Sequence, residues 1–207
     1  MKKTLLLLMI VPMISFGQTA EEYYTKALDY QKGRDYQYQI DNYTKCLQID
    51  PNYVGAYINR GRAYYKLKNY KAAIDDYTKS IRINPNDAQV YNNRGVAYSM
   101  LENYKLAIDD FTRSIKIDPN YLIVMEGRGI GSNPYNNRGR AYYYLESYEN
   151  AIADFTRSIK IEPNNANTYR DRGVAKEESG LNYCSDYKRA CALGNKNCCE
   201  WYNDECR

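Results

Sequence analysis

Apolar and small residues recur at intervals of three and four along most of the chain, the spacing of one face of an α-helix. Between residues 54 and 87, Tyr57, Gly61, Tyr64 and Tyr65 form one such face. Ala73, Ile74, Tyr77, Ser80 and Ile81 form a second. Lys68-Asn69-Tyr70 separates them as a turn. Asn84-Pro85-Asn86 ends the second helix, because proline has no N–H to donate and disfavours helical geometry in the residue before it. The pattern predicts two antiparallel helices joined by a short turn.

The same pattern returns at a fixed period, the signature of a stacked repeat. Tyr23, Tyr57, Tyr91, Tyr135 and Tyr169 are spaced by 34, 34, 44 and 34 residues. Arg60-Gly61, Arg94-Gly95, Arg138-Gly139 and Arg172-Gly173 keep this interval, as do Pro51, Pro85, Pro119 and Pro163. The single interval of 44 is one period with about ten residues inserted, at about 122–131. A glycine inside a helix costs about 1 kcal/mol against alanine. Four in register therefore imply close helix contact, expected between Gly61 and Ala73.

These positions resemble the tetratricopeptide repeat family, whose pattern is an aromatic, Gly and Tyr on the first helix, then Ala, an aromatic, a small residue and Pro. Tyr57, Gly61, Tyr64, Ala73, Tyr77, Ser80 and Pro85 match it. Tyr91, Gly95, Tyr98, Ala107, Phe111, Ser114 and Pro119 do so again, as do Tyr135, Gly139, Tyr142, Ala151, Phe155, Ser158 and Pro163. The resemblance implies an all-α, right-handed solenoid of about five helix-turn-helix repeats with a C-terminal capping helix. The array covers 18–193, with units at about 20–53, 54–87, 88–121, 132–165 and 166–193. The first unit has Ala27 for the glycine and Gln39 for the small alanine; the last has Lys176 for a tyrosine, and its second helix starts early. Terminal repeats are atypical because one face must meet water.

Tyrosine is abundant, with 25 copies against 3 Phe, and the repeat assigns most of them to the core. Histidine is absent, which removes the commonest general base and metal ligand. Lys2 and Lys3, the apolar run from Thr4 to Ile14 and the small residues of Ser15-Phe16-Gly17 read as a signal peptide over 1–17, cleaved before Gln18. The apolar run is shorter than the roughly 20 residues that span a bilayer, and an uncleaved anchor is the alternative. No cysteine follows it, which argues against a lipoprotein. The expected product is exported, periplasmic or secreted in a bacterial envelope, with no transmembrane segment after cleavage. Net charge is +4, falling to +2 without Lys2 and Lys3. Acidic and basic residues alternate, with no basic face for nucleic acid.

Five of the six cysteines crowd the C-terminus: Cys184, Cys191, Cys198, Cys199 and Cys206. In an exported protein they predict disulfides. A zinc site is the rival, but there is neither His nor Cys-x-x-Cys. Cys184 and Cys191 lie two turns apart on one helix, too far to bridge. Leu193-Gly194-Asn195 stops that helix, and 194–207 forms a capping helix on which Cys199 and Cys206 repeat the interval. Antiparallel packing then pairs Cys191 with Cys199 and Cys184 with Cys206, leaving Cys198 over. The run from Lys188 through Cys199 also resembles cysteine-rich Sel1-like repeats. Cys46 takes the place of Ser80, Ser114 and Ser158 and is expected to be a small buried residue.

In the tetratricopeptide family the first helices line a concave groove. Asn59, Asn93 and Asn137 would stack there once per unit, as rungs for an extended peptide backbone. Arg62 and Arg140 alternate with Val96 and Val174, and Tyr65 and Tyr143 follow. Together these suit an extended, acidic segment. The alternative is that each Asn bonds the neighbouring unit. Arg60, Arg94, Arg138 and Arg172 are expected to pair with Asp75-Asp76, Asp109-Asp110 and Asp154 as a structural ladder. The insertion at 122–131 is either a flexible loop or a partner-docking flap carrying Leu122-Ile123-Val124-Met125; its glycines do not form a nucleotide fingerprint. The expected function is a scaffold for protein–protein or protein–peptide interaction with no cofactor and no catalysis. A self-associating structural protein is the alternative. An envelope hydrolase fits poorly, because carboxylate pairs such as Asp75-Asp76 recur with the repeat, whereas a catalytic pair is expected once.

Overall fold

The computed structural model describes residues 18–29, 35–119 and 133–206. Residues 1–17, expected to be a signal peptide, and the 122–131 insertion lie outside these residues. The described chain forms eleven α-helices: α1 Ala20–Asp29, α2 Tyr36–Ile49, α3 Val54–Lys66, α4 Tyr70–Ile83, α5 Ala88–Met100, α6 Tyr104–Ile117, α7 Pro134–Tyr144, α8 Tyr148–Ile161, α9 Ala166–Glu178, α10 Cys184–Ala192 and α11 Lys196–Glu205. Each helix packs on the one before and the one after it, giving five consecutive pairs and a final single helix. The first helices also touch each other from α3 to α5, α5 to α7 and α7 to α9, so they form one layer.

Local chemistry sets the helix ends. Most first helices start on a side chain that caps exposed backbone N–H groups. Asp87 accepts from Gln89 N and Val90 N at 2.9 and 3.2 Å, and Asn133 accepts from Asn136 N at 3.0 Å. From the second pair to the fifth, the turn within the pair is a repeated left-handed cap. Lys68, Glu102 and Glu146 have φ of 60°, 60° and 58°, and Gly180 takes this role in the fifth pair at 70°. The residue that follows donates its N–H back into the first helix, as Asn69 does to Tyr64 O at 2.9 Å and Leu181 to Lys176 O at 2.8 Å.

The core runs between the two layers. Tyr43, Tyr77, Phe111 and Phe155 are buried second-helix aromatics, interleaved with Ala73, Ala107 and Ala151. At the helical glycines the nearest neighbour is the ring of the facing helix rather than the expected alanine, although a Cβ on Gly139 would also meet Ala151 O at 3.3 Å. A Cβ on Gly61 would lie 2.8 Å from the Tyr77 ring, and one on Gly95 would lie 2.7 Å from Phe111. The fifth pair repeats this with Gly173 and Tyr187 at 2.5 Å. The glycine makes room for a whole ring on the facing helix, which buries far more apolar area than a methyl group would.

Two disulfides join α10 to α11, Cys184–Cys206 and Cys191–Cys199, with Cα atoms 5.6 and 4.7 Å apart. Cys198, on the inner face of α11, is a free thiol buried against Tyr187 and Ala190 of α10. Cys46 is also free and fully buried, packed with Tyr43 and Ala27.

Candidate functional site

Two kinds of arginine stand two residues apart on the first helices, on nearly opposite faces, and their surroundings separate structure from candidate binding. Arg60 donates two bonds to Asp76 of its own pair, at 2.7 and 2.8 Å, and a third to Thr44 of the preceding pair at 2.9 Å. Arg94 repeats this with Asp110 and Thr78, Arg138 with Asp154 and Thr112, and Arg172 with Asp186 and Thr156. The fork of each guanidinium thus ties three helices together. Burial pushes the Asp110 carboxyl up, against the pull of Arg94. Each of these arginines also lies over the first tyrosine of its unit, as Arg60 does over Tyr57 at 5.8 Å. This ladder is mortar between units, and its members are spent.

The three asparagines do not form the open row expected from the sequence. Asn93 is completely buried and Asn137 is 8 % exposed. Asn137 donates to Asn92 of the preceding unit at 3.0 Å. Asn59 is half-buried, donating to the Tyr24 hydroxyl at 3.0 Å and accepting from Arg62 at 3.1 Å. Neighbouring first helices approach closely enough to cover these amides, and Asn59 and Asn137 take partners from the preceding unit rather than from solvent.

One turn further along, side chains reach open space. Arg140 is exposed, and Arg62, Tyr65 and Tyr143 are half-buried. Two clefts open on this layer. The larger, of about 280 Å³, is bounded by Tyr65, Val96, Ser99, Met100, Asn137, Arg140 and Tyr144, with Phe111 at its floor. The smaller, of about 140 Å³, lies between Arg140, Tyr143, Tyr144, Arg170, Asp171 and Val174 over Phe155. Arg140 and Tyr144 line both. Burial raises the Tyr65 hydroxyl's pKa, and the Arg140 guanidinium works against that rise. Arg140 reaches Asp171 only at 3.9 Å, while Arg170 holds that carboxylate at 2.6 Å.

The structure therefore brings Tyr65 and Arg140 to one cleft and Arg140 and Tyr143 to the next, while Arg62 lines neither. Met100, Tyr104, Tyr144, Arg170 and Asp171 also line these clefts and are not among the residues expected from the sequence. The signal for Asp171 was present, since it stands where Asn59, Asn93 and Asn137 stand in earlier units. The stacking of Tyr104 on Tyr144, at 4.9 Å and 12° between planes, joins a second helix to the next first helix and carried no such signal. Among the described residues no group of three or more Cys, Asp or Glu is placed to hold a metal ion, and no helix is long and apolar enough to cross a membrane.

Residues 54–87, 88–121 and 132–165 match the tetratricopeptide repeat family. These matches end at Pro163-Asn164-Asn165, so the likeness of the cysteine-rich end to Sel1-like repeats rests on the sequence pattern. A sequence comparison with curated proteins gives no match. Solved structures share the fold. A crystal structure of MamA superposes with a TM-score of 0.75 at 24% identity, covering 86% of this chain and 93% of that one. A MamA RS-1 double mutant gives 0.77 at 15% identity, covering 87% and 97%. YrrB, described as a TPR protein with an unusual peptide-binding site, gives 0.73 at 18% identity, covering 89% and 91%. With stacked helix pairs, the repeated arginine ladder and three sequence matches in register, this chain is an α-solenoid built on tetratricopeptide repeats.

Proposed function

We propose that this chain is an exported, non-catalytic scaffold that binds extended segments of other proteins along the face made by its first helices. The observation that carries this reading is the pair of clefts sharing Arg140, an exposed cation between half-buried tyrosines. First helices of successive units touch, and the second helices do not approach each other to the same extent. A stack packed more closely on one side curves toward that side, which makes the first-helix face concave. An elongated concave face of this kind suits an extended chain. Arg62 and Arg140 favour an acidic segment, with Tyr65 and Tyr143 as amphipathic contacts. Export is supported by residues 1–17 and by two disulfides, which persist in oxidising compartments.

The test is capture of partners from envelope extract by the mature protein and by a Tyr65→Ala/Arg140→Glu variant with unchanged circular dichroism. A partner lost with the variant supports the groove. A partner kept by both moves recognition to another surface, and no partner with either argues against a scaffold. Export is checked by sequencing the N-terminus of the protein recovered outside the cytoplasm. It should begin at Gln18; a chain that retains Met1 contradicts cleavage.

A further inference from the structure

The larger cleft exists because one unit departs from its neighbours. In the second and fourth units, the groove positions hold Arg62 with Tyr65 and Arg140 with Tyr143. In the third unit the same two positions hold Val96 and Ser99. Val96 is 8 % exposed, and the Ser99 hydroxyl turns back to Gly95 O at 3.1 Å, so neither projects a polar group into the space. The large side chains of the flanking units become the walls of the gap. Tyr65 comes from one side, and Tyr144, stacked on Tyr104, from the other. Phe111 forms the floor and Met100, 48% exposed, lies at the edge.

We propose that this gap is a specificity subsite for one aromatic side chain of an extended peptide, with an acidic residue beside it held by Arg140. The proposal rests on the groove reading above and names what the groove selects. Its size is one argument: about 280 Å³ lies just under the roughly 300 Å³ at which pockets begin to hold drug-sized molecules. That is room for a single large side chain. Wall chemistry is a second argument. Tyrosine rings and a methionine sulfur contact an aromatic ring more favourably than an aliphatic chain. Charge complementarity is the third. Arg140 is the cation of the cleft, which also carries the carboxylate of Glu102; it is exposed at the rim, where its distance of 3.9 Å from Asp171 leaves the guanidinium able to turn to a ligand carboxylate.

The experiment uses fluorescein-labelled, end-capped nonapeptides of Gly, Ser and Asn with one central pair: Phe-Asp, Ala-Asp, Leu-Asp or Phe-Asn. Binding is read by anisotropy on the mature, oxidised protein. Phe-Asp is expected to bind about tenfold more tightly than Ala-Asp, with Leu-Asp between them. Phe-Asn should bind several-fold more weakly than Phe-Asp, by a factor that shrinks as salt rises. Ser99→Tyr fills the gap with the residue that the second and fourth units carry, and should bring the Phe-to-Ala ratio below about twofold. Tyr144→Ala combined with Met100→Ala, at exposed positions, should do the same if Ser99→Tyr disturbs folding. Equal binding of Phe-Asp and Ala-Asp, with both weakened by Arg140→Ala, overturns the subsite and leaves the groove standing. An unchanged Phe-to-Ala ratio in a folded Ser99→Tyr variant also overturns it. If no peptide binds at millimolar concentration, the groove reading falls with it.

Discussion

The middle of the array and its C-terminal end solve one problem by different means. From α3 to α8 each pair has a neighbour on both sides, and side chains alone join them. Arg60, Arg94 and Arg138 each grip an aspartate of their own pair and a threonine of the pair before. At the end the fifth pair is shortened. Arg172 meets Asp186 across 14 residues, where Arg94 meets Asp110 across 16. Lys176, which replaces the repeat's tyrosine, supplies a second cation to Asp186 at 2.8 Å. Beyond it stands α11, a single helix with a neighbour on one side, and two disulfides hold it. In a stack where each unit contacts only its neighbours, α11 packs chiefly on α10 among the described residues, and a covalent staple fixes it there.

The comparison breaks first in the middle. Asp110→Ala removes the acceptor of two bonds and leaves Arg94, whose side chain is 16% exposed, without its counter-ion. A stranded charge of this kind costs about 3–5 kcal/mol. Urea denaturation should show that loss, and Arg94→Met together with Asp110→Leu should recover most of it, because an apolar pair needs no counter-ion. Equal stability of Asp110→Ala and the native chain would mean that the ladder contributes nothing.

At the end, reducing both bridges should cost about 3 kcal/mol, set mainly by the larger loop. The loss should stay local. Hydrogen exchange is expected to speed up over α10 and α11 while α3 to α6 keep their protection. Faster exchange throughout the chain would show that the staple supports the whole array.

Much of this contrast is readable in the sequence, for physical reasons. Aromatics, glycines and prolines recur at a fixed period, so helix pairs and their stacking follow from local spacing. The arginine ladder is legible too, since Arg60 and Asp76 repeat in register with Arg94 and Asp110. The geometry of the clefts is less legible. Asn93 and Arg140 occupy similar repeat positions one turn apart, yet one is fully buried and the other exposed. Which of them meets water depends on how closely successive first helices approach, and periodicity within one unit does not contain that distance. Tyr144 was passed over for the same reason: its value comes from Tyr104 on another helix.

A smaller effect tests how uniform the middle is. Tyr77 stands where the next units have Phe111 and Phe155, and its ring is fully buried against Gly61. Its hydroxyl is buried with no hydrogen-bond partner among the described residues. Burial therefore raises its pKa strongly. An unsatisfied buried hydroxyl costs about 1–3 kcal/mol, so Tyr77→Phe should stabilise the protein, by about 1–2 kcal/mol in a thermal melt. A destabilised Tyr77→Phe protein would reveal a partner for that hydroxyl and make the second unit unlike the third and fourth.

The smallest effect concerns the other end of the array. Cys46 fills the position held by Ser80, Ser114 and Ser158, and its thiol is pushed up from 9.0 to about 11, chiefly by burial and then by the charges of Asp50 and Glu21. Between those two values the unfolded chain releases the proton while the folded chain keeps it. Stability is therefore intact below about pH 9 and falls as pH rises toward 11, by about 1 kcal/mol at pH 10. The raised tyrosines, Tyr77 among them, act in the same direction, so the informative quantity is a difference between proteins. Cys46→Ser should fold, since serine holds this position in three later units; Ser114 donates to Ala88 O at 2.8 Å, whereas the Ser80 hydroxyl is buried without a partner among the described residues, so the slope with pH and not the absolute stability is compared. Its melting temperature should decline less steeply than the native one between pH 8.5 and 10.5. Parallel declines would mean that Cys46 does not titrate differently in the two states, and that the first pair is less tightly closed than its buried thiol implies.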